Sequence, residues 1–237
     1  GDVIPSVLSN NITGTIGNVL FPSMSKYQDN KETVKKMTRT AIKVCSFFVT
    51  PLMFFLFAVS DKIVVVLYSE KWMAAIPFMQ VLCLKCVFSV VGSTNTQAIK
   101  ALGRSDILFK LELIKKPLYL GAIIFAMTIS PLAICVANTI YDFIGTMINA
   151  FPNRKLLNYT YKEQFRDIMP CLALSTAMVV AVIAAGHIAE NIYISLAVQS
   201  VVCVSVYFGL AHVLSLESYR YVIDNIIRFK NGKNNNE

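Results

Sequence analysis

The chain has 237 residues, 55% hydrophobic and 15% charged, with a formal net charge of +8 and a mean hydropathy of +0.58. That is more apolar surface than a soluble domain of this size buries in a core, so the sequence describes a membrane protein. Nucleic-acid binding is excluded despite the basic charge, because apolar runs of membrane-crossing length divide the lysines and arginines instead of letting them form one polar surface.

Seven runs are apolar enough to cross a hydrocarbon core of ~30 Å, which takes about 20 helical residues. They fall near 3–24, 40–59, 73–101, 108–129, 131–151, 169–187 and 192–214. Ser6, Asn10, Asn11, Thr13 and Asn18 dilute the first. The expected fold is an all-α integral membrane bundle over 1–214. Beyond it, Leu216, Tyr219, Ile223 and Ile226 recur at helical spacing with Arg220, Asp224 and Arg228 between them. Within 215–237 this predicts a helix lying on the cytoplasmic leaflet, followed by a disordered polar tail from Asn231.

The basic residues collect in alternate connections. Lys26, Lys31, Lys35, Lys36, Arg39 and Lys43 lie between the first two runs, and Lys100, Arg104, Lys110, Lys115 and Lys116 between the third and fourth. Arg154, Lys155, Lys162 and Arg166 follow the fifth, and Arg220, Arg228, Lys230 and Lys233 the seventh. Positive loops stay in the cytoplasm, so Glu237 is expected inside and Gly1 outside. With no initiator methionine and no signal peptide before the first run, the chain reads as a fragment preceded by an odd number of spans.

Little points to covalent chemistry. All six cysteines sit inside apolar runs, and the Cys83/Cys86 pair has no second pair to complete a metal site. His187 and His212 fall near opposite membrane surfaces. No cofactor or metal is expected. The short outer connections leave no room for the polar active-site loop that a membrane enzyme of envelope assembly needs.

Charges at bilayer depth need a reason. Lys85 lies about 13 residues into the third run and Asp142 about 11 into the fifth, ~20 and ~16 Å from the outer face by helical rise. At that shared depth they are either a structural ion pair or part of a substrate site. Asn138, Asp142, Gly145 and Asn149 share one helical face, as do Ser6, Asn10, Thr13 and Gly17, while Ser89, Gly92, Ser93, Thr96 and Lys100 come close to the same pattern. Such faces either pack helices tightly or line a hydrated cavity. The candidate cavity residues are therefore Lys85, Asp142, Asn10, Asn138, Asn149, Ser93 and Thr96.

The segments LFPSMSKYQDN at 20–30, SEKWMAAIPFMQVL at 69–82 and ALGRSDILFKLELIKK at 101–116 occur in an order and spacing that give the chain a family resemblance. It resembles the carboxy-terminal half of bacterial polysaccharide flippases of the lipopolysaccharide/teichuronic-acid exporter type, in the multidrug/oligosaccharidyl-lipid/polysaccharide exporter superfamily. The resemblance implies the carboxy-terminal lobe of a two-lobed, MATE-like flippase bundle working by alternating access. The implied substrate is an undecaprenyl-diphosphate-linked oligosaccharide. The implied partners are membrane lipid, the missing amino-terminal half and a polysaccharide polymerase. A drug/cation antiporter of the same superfamily is the rival, sustained by Asp142 alone; a purely structural subunit would use the polar faces for packing only.

Overall fold

A computed structural model describes Gly14 and residues 17–224. Among these residues every regular element is helical: α1 (17–25), α2 (Lys31–Ala58), α3 (Ser60–Tyr68), a 3-10 turn (Glu70–Ala75), α4 (Ile76–Ala101), α5 (Ser105–Met127), α6 (Pro131–Leu156), α7 (Tyr161–Ala185), α8 (Ile192–Val213) and α9 (217–224). Five stretches are long and apolar enough to cross a membrane: α2, the 3-10 turn with α4, α6, α7 and α8. The protein is a multi-pass membrane protein.

The helices outrun the apolar stretches that mark them in the sequence. Helix α2 begins at Lys31, not near 40, because the Asn30 side chain accepts the Thr33 amide at 3.0 Å and Glu32 occupies the first turn. Helix α7 begins at Tyr161, not near 169, because Thr160 and Glu163 form a capping box. Ser130 and Asn191 cap α6 and α8 through their side chains. Asp106 does not cap α5; it pairs with Arg104 at 3.0 Å beyond Gly103, whose φ of 70° makes the turn. Most of the first expected span and the polar tail lie outside the described residues.

Neighbouring helices form a row, α8–α7–α2–α4–α6–α5. One cluster joins α2, α3 and α4 through Met53, Val64, Cys83 and Val90, and another joins α2, α7 and α8 through Phe47, Met178, Val182 and Tyr207. Helix α5 stays outside both: Lys115 and Ala126 are its buried residues. Large apolar side chains stand exposed along α5, α6 and α8, among them Phe109, Phe125, Ile140 and Val201, as a lipid-facing surface allows.

Polar groups brace both ends of the row. At the end carrying the basic clusters, Arg39 donates twice to the buried Asp167, both bonds 2.8 Å, and Tyr159 donates to the same carboxylate at 2.8 Å. Beside it Asn95, Asn153 and Gln164 form a buried amide chain across α4, α6 and α7, with bonds of 2.7 and 2.8 Å. At the opposite end the Lys62 ammonium donates to Ser195 at 2.5 Å, Gln199 at 2.9 Å and the Gly186 carbonyl at 3.4 Å. A Cβ on Gly186 would lie 2.7 Å from the Gln199 amide nitrogen, so a larger residue there would have to displace the Gln199 side chain.

In the middle, Pro51 interrupts the hydrogen bonding of α2. Having no N–H, it leaves the Phe47 carbonyl, four residues earlier, without its helical donor. The buried Tyr207 hydroxyl, from α8, donates to that carbonyl at 2.8 Å. Tyr207→Phe should therefore lower stability by about 1–3 kcal/mol. In a Pro51→Ala background, where the backbone amide restored at that position supplies the bond, at least half of that loss should vanish. Chemical denaturation of the four proteins in detergent measures the coupling; an equal cost in both backgrounds would refute this account.

Candidate functional site

Helices α4, α5 and α6 enclose a cleft of about 350 Å³ at bilayer depth. It exists because α4 and α6 approach closely at small residues: a Cβ on Gly92 would stand 2.8 Å from the Thr146 hydroxyl and 3.5 Å from the Thr146 Cα. Thr146 donates to the Phe88 carbonyl at 3.2 Å, so its hydroxyl ties α6 to α4. Gly145, next to it, faces Lys115, whose Cδ would lie at an ordinary contact distance of 3.9 Å from a Cβ there.

Lys85 of α4 and Asp142 of α6 meet at 3.2 Å, so the structure joins the two charges that the sequence placed at one depth. Their side chains are 25% and 28% exposed. A charge pair a quarter open at mid-bilayer must face water or protein, since hydrocarbon would leave it unsolvated. Asp142 lines the cleft, and Lys85, its partner, lies outside the lining.

Of the other expected cavity residues, Ser93, Thr96 and Asn149 line the same cleft. Thr96 donates its hydroxyl to the Gly92 carbonyl at 2.8 Å, keeping its lone pairs available. The Asn149 side-chain oxygen is buried with no hydrogen-bond partner among the described residues, an acceptor waiting for a donor. Asn138 is half-buried one turn from Asp142 on the same helix and outside the cleft lining. Asn10 lies outside the described residues.

One charge at this site was assigned elsewhere. The sequence reading put Lys115 in a basic connection, but it sits ten residues into α5, ~15 Å from the helix start, and is 8% exposed. It pairs with Glu112, three residues back, and lines the cleft with Lys100, Gln97 and Tyr141. The local signal for it was the turn at Gly103: a helix starting at Ser105 carries Lys115 three turns inward. Lys100 is exposed at the cleft's basic end. The cleft thus offers cations at two depths, hydroxyls, amides and one paired carboxylate. Groups of these kinds supply the donors and acceptors that a polar or anionic solute needs.

Residues 1–77 match the family model described as "Polysaccharide biosynthesis protein". The lipopolysaccharide biosynthesis protein WzxC of Escherichia coli (strain K12) is 26% identical over 185 residues, covering 74% of this chain and 37% of that protein. The teichuronic acid biosynthesis protein TuaB of Bacillus subtilis (strain 168) is 27% identical over 202 residues, 84% of this chain and 41% of that protein. In fold, the lipid II flippase MurJ in an inward closed conformation superposes with a TM-score of 0.74 at 18% identity, over 92% of this chain and 46% of MurJ. The chain therefore spans well under two thirds of the length of the proteins it matches. Motifs, relatives and fold point the same way: this chain is similar to proteins of bacterial lipopolysaccharide and teichuronic acid biosynthesis and has the fold of about half of MurJ.

Proposed function

We propose that this chain is the carboxy-terminal lobe of a flippase that turns undecaprenyl-diphosphate-linked oligosaccharides across the bacterial cytoplasmic membrane for surface polysaccharide assembly. The protein does so by alternating access, one lobe rocking against the other with the substrate between them. The observation that carries this reading is a cleft lined by hydroxyls, amides, Lys100, Lys115 and Asp142, the last paired with the partly exposed Lys85 just outside the lining. The lobe is residues 1–214, and the basic end faces the cytoplasm with the carboxy terminus. Sugar hydroxyls exchange hydrogen bonds with Ser93, Thr96 and Asn149, with Asn138 on the same helix as Asn149, and with Asn10, which lies outside the described residues. Lys115 and Lys100 meet the diphosphate, as ammonium groups are compact donors to phosphoryl oxygens. No covalent step is involved. Asp142 has its charge matched by Lys85, which disfavours the antiporter reading, where that carboxylate would have to take up a cation by itself.

Lys85 and Asp142 are coupled. Removing either leaves an uncompensated charge at bilayer depth, so Lys85→Met or Asp142→Asn, made in the full-length transporter, should lower folded yield more than the double substitution does. Export should not return with yield in the double variant if Lys85 also touches substrate. Additive losses of yield would remove the pair from the argument.

Lys115→Met should reduce surface-polysaccharide export about tenfold, the scale of one lost charge-assisted contact. Its carboxylate partner Glu112 is half exposed, so folded yield should change little; Lys110→Met serves as control. Unchanged export with Lys115→Met would sink the assignment of the cleft to the diphosphate.

Thiols introduced at Lys35, Ser105 and Lys155 in a cysteine-free protein should be labelled from the cytoplasm, and those at Glu70 and Glu190 from outside. Labelling of Ser105 by an impermeant reagent applied outside would reverse the orientation.

A further inference from the structure

A second groove system lies two helices away from the cleft, on the other flank of α2. Lys36, Arg39, Thr40 and Lys43 form a stripe at spacings of three and four, and the same stripe runs on through Phe47, Phe48, Pro51, Leu52 and Phe55. One face of one helix is therefore cationic at the basic end and apolar beyond Val44. Helix α9 lies over the cationic part and encloses with it a groove of about 380 Å³. Helix α8 flanks the apolar part, where Ser200, Val204 and Phe208 help to line a groove of about 300 Å³. Phe48, Leu52 and Phe208 are 39–48% exposed, so this second groove opens toward lipid.

The cationic groove keeps unspent donors. Arg39 uses Nε and Nη2 on Asp167, leaving Nη1. Lys36 is exposed and has no partner among the described residues. Lys43 reaches Asp167 at 3.4 Å and also pairs with Glu217 of α9, a side chain 81% exposed. The hydroxyls of Thr40 and Ser218 also line the groove, as do Lys35 and a second carboxylate, Glu32. The hydrogen bond and charge of Lys43 hold Glu217 below the usual carboxylate range, so at neutral pH it stays ionised and occupies an ammonium that another anion could take.

We propose that the two grooves form one binding site for an anionic phospholipid of the adjoining leaflet, its phosphoryl headgroup among Lys36, Arg39 and Lys43 and an acyl chain between α2 and α8. The length of the apolar part selects the occupant. From Val44 to Phe55 the helix rises ~16 Å, about half of a ~30 Å core and so one leaflet deep. A polyisoprenyl chain would overrun it. The proposal does not depend on the flippase reading, since neither groove shares a residue with the cleft. Headgroup binding competes with Glu217 for Lys43, which links lipid occupancy to the docking of α9 on α2.

Native mass spectrometry of the full chain in neutral detergent, titrated with phosphatidylglycerol or phosphatidylcholine, tests the site. Phosphatidylglycerol should be retained in preference, about fivefold more weakly in Lys36→Gln, the scale of one cation at a membrane surface. It should bind severalfold more tightly in Glu217→Gln, a gain that no folding defect can imitate. Lys110→Gln should bind as the parent does. Equal retention of phosphatidylcholine, or equal losses in Lys36→Gln and Lys110→Gln, would overturn the proposal. So would protection against heat by inorganic phosphate alone equal to that by phosphatidylglycerol, which would identify a soluble anion as the ligand. Displacement of phosphatidylglycerol by equimolar undecaprenyl phosphate would overturn it too, by making the site the substrate's own.

Discussion

Hydrocarbon cannot solvate a charge or an unpaired backbone group, and this constraint organises the molecule. Several of the charged and amide groups that α2, α3, α4, α6 and α7 carry into the bundle meet partners on other helices. Asp167 collects Arg39, Lys43 and Tyr159; Asn95 joins Asn153 to Gln164; Lys62 gathers three acceptors. The carbonyl freed by Pro51 is served by Tyr207. These bonds do for the bundle what a hydrophobic core does for a soluble protein, because lipid tails are as apolar as the side chains they would replace.

The same constraint makes the exceptions informative. Lys85 and Asp142 pair yet stay a quarter exposed, and the Asn149 oxygen is buried without a donor among the described residues. Both sit at the α4–α5–α6 face, where close packing at Gly92 and Gly145 leaves a polar cleft. Helix α5 rests mainly on α6 and buries little of itself.

Helix α2 separates two different environments. Toward α4 it packs in an apolar cluster; toward α8 and α9 it presents a stripe that changes from cationic to apolar within one turn. At the basic end Glu217 already pairs with one of the stripe's cations, Lys43.

The sequence alone determined the helical class and the depth that Lys85 and Asp142 share. Those properties depend on composition and on periodicity within a few residues, which local chemistry encodes. Even the early starts of α2 and α7 were written locally, in Asn30 and in the Thr160–Glu163 box, although hydropathy passes over them because caps are polar. Tertiary structure decided the lateral order of the helices, and with it everything that depends on which faces meet. Lys115 reads as one more loop lysine until α5 is laid against Gly145; Tyr207 reads as an apolar span residue until α8 brings it to the carbonyl that Pro51 leaves free. The reason is physical: a helix specifies its own faces, but in lipid only van der Waals fit and paired polar groups choose its neighbours, and both belong to two helices at once.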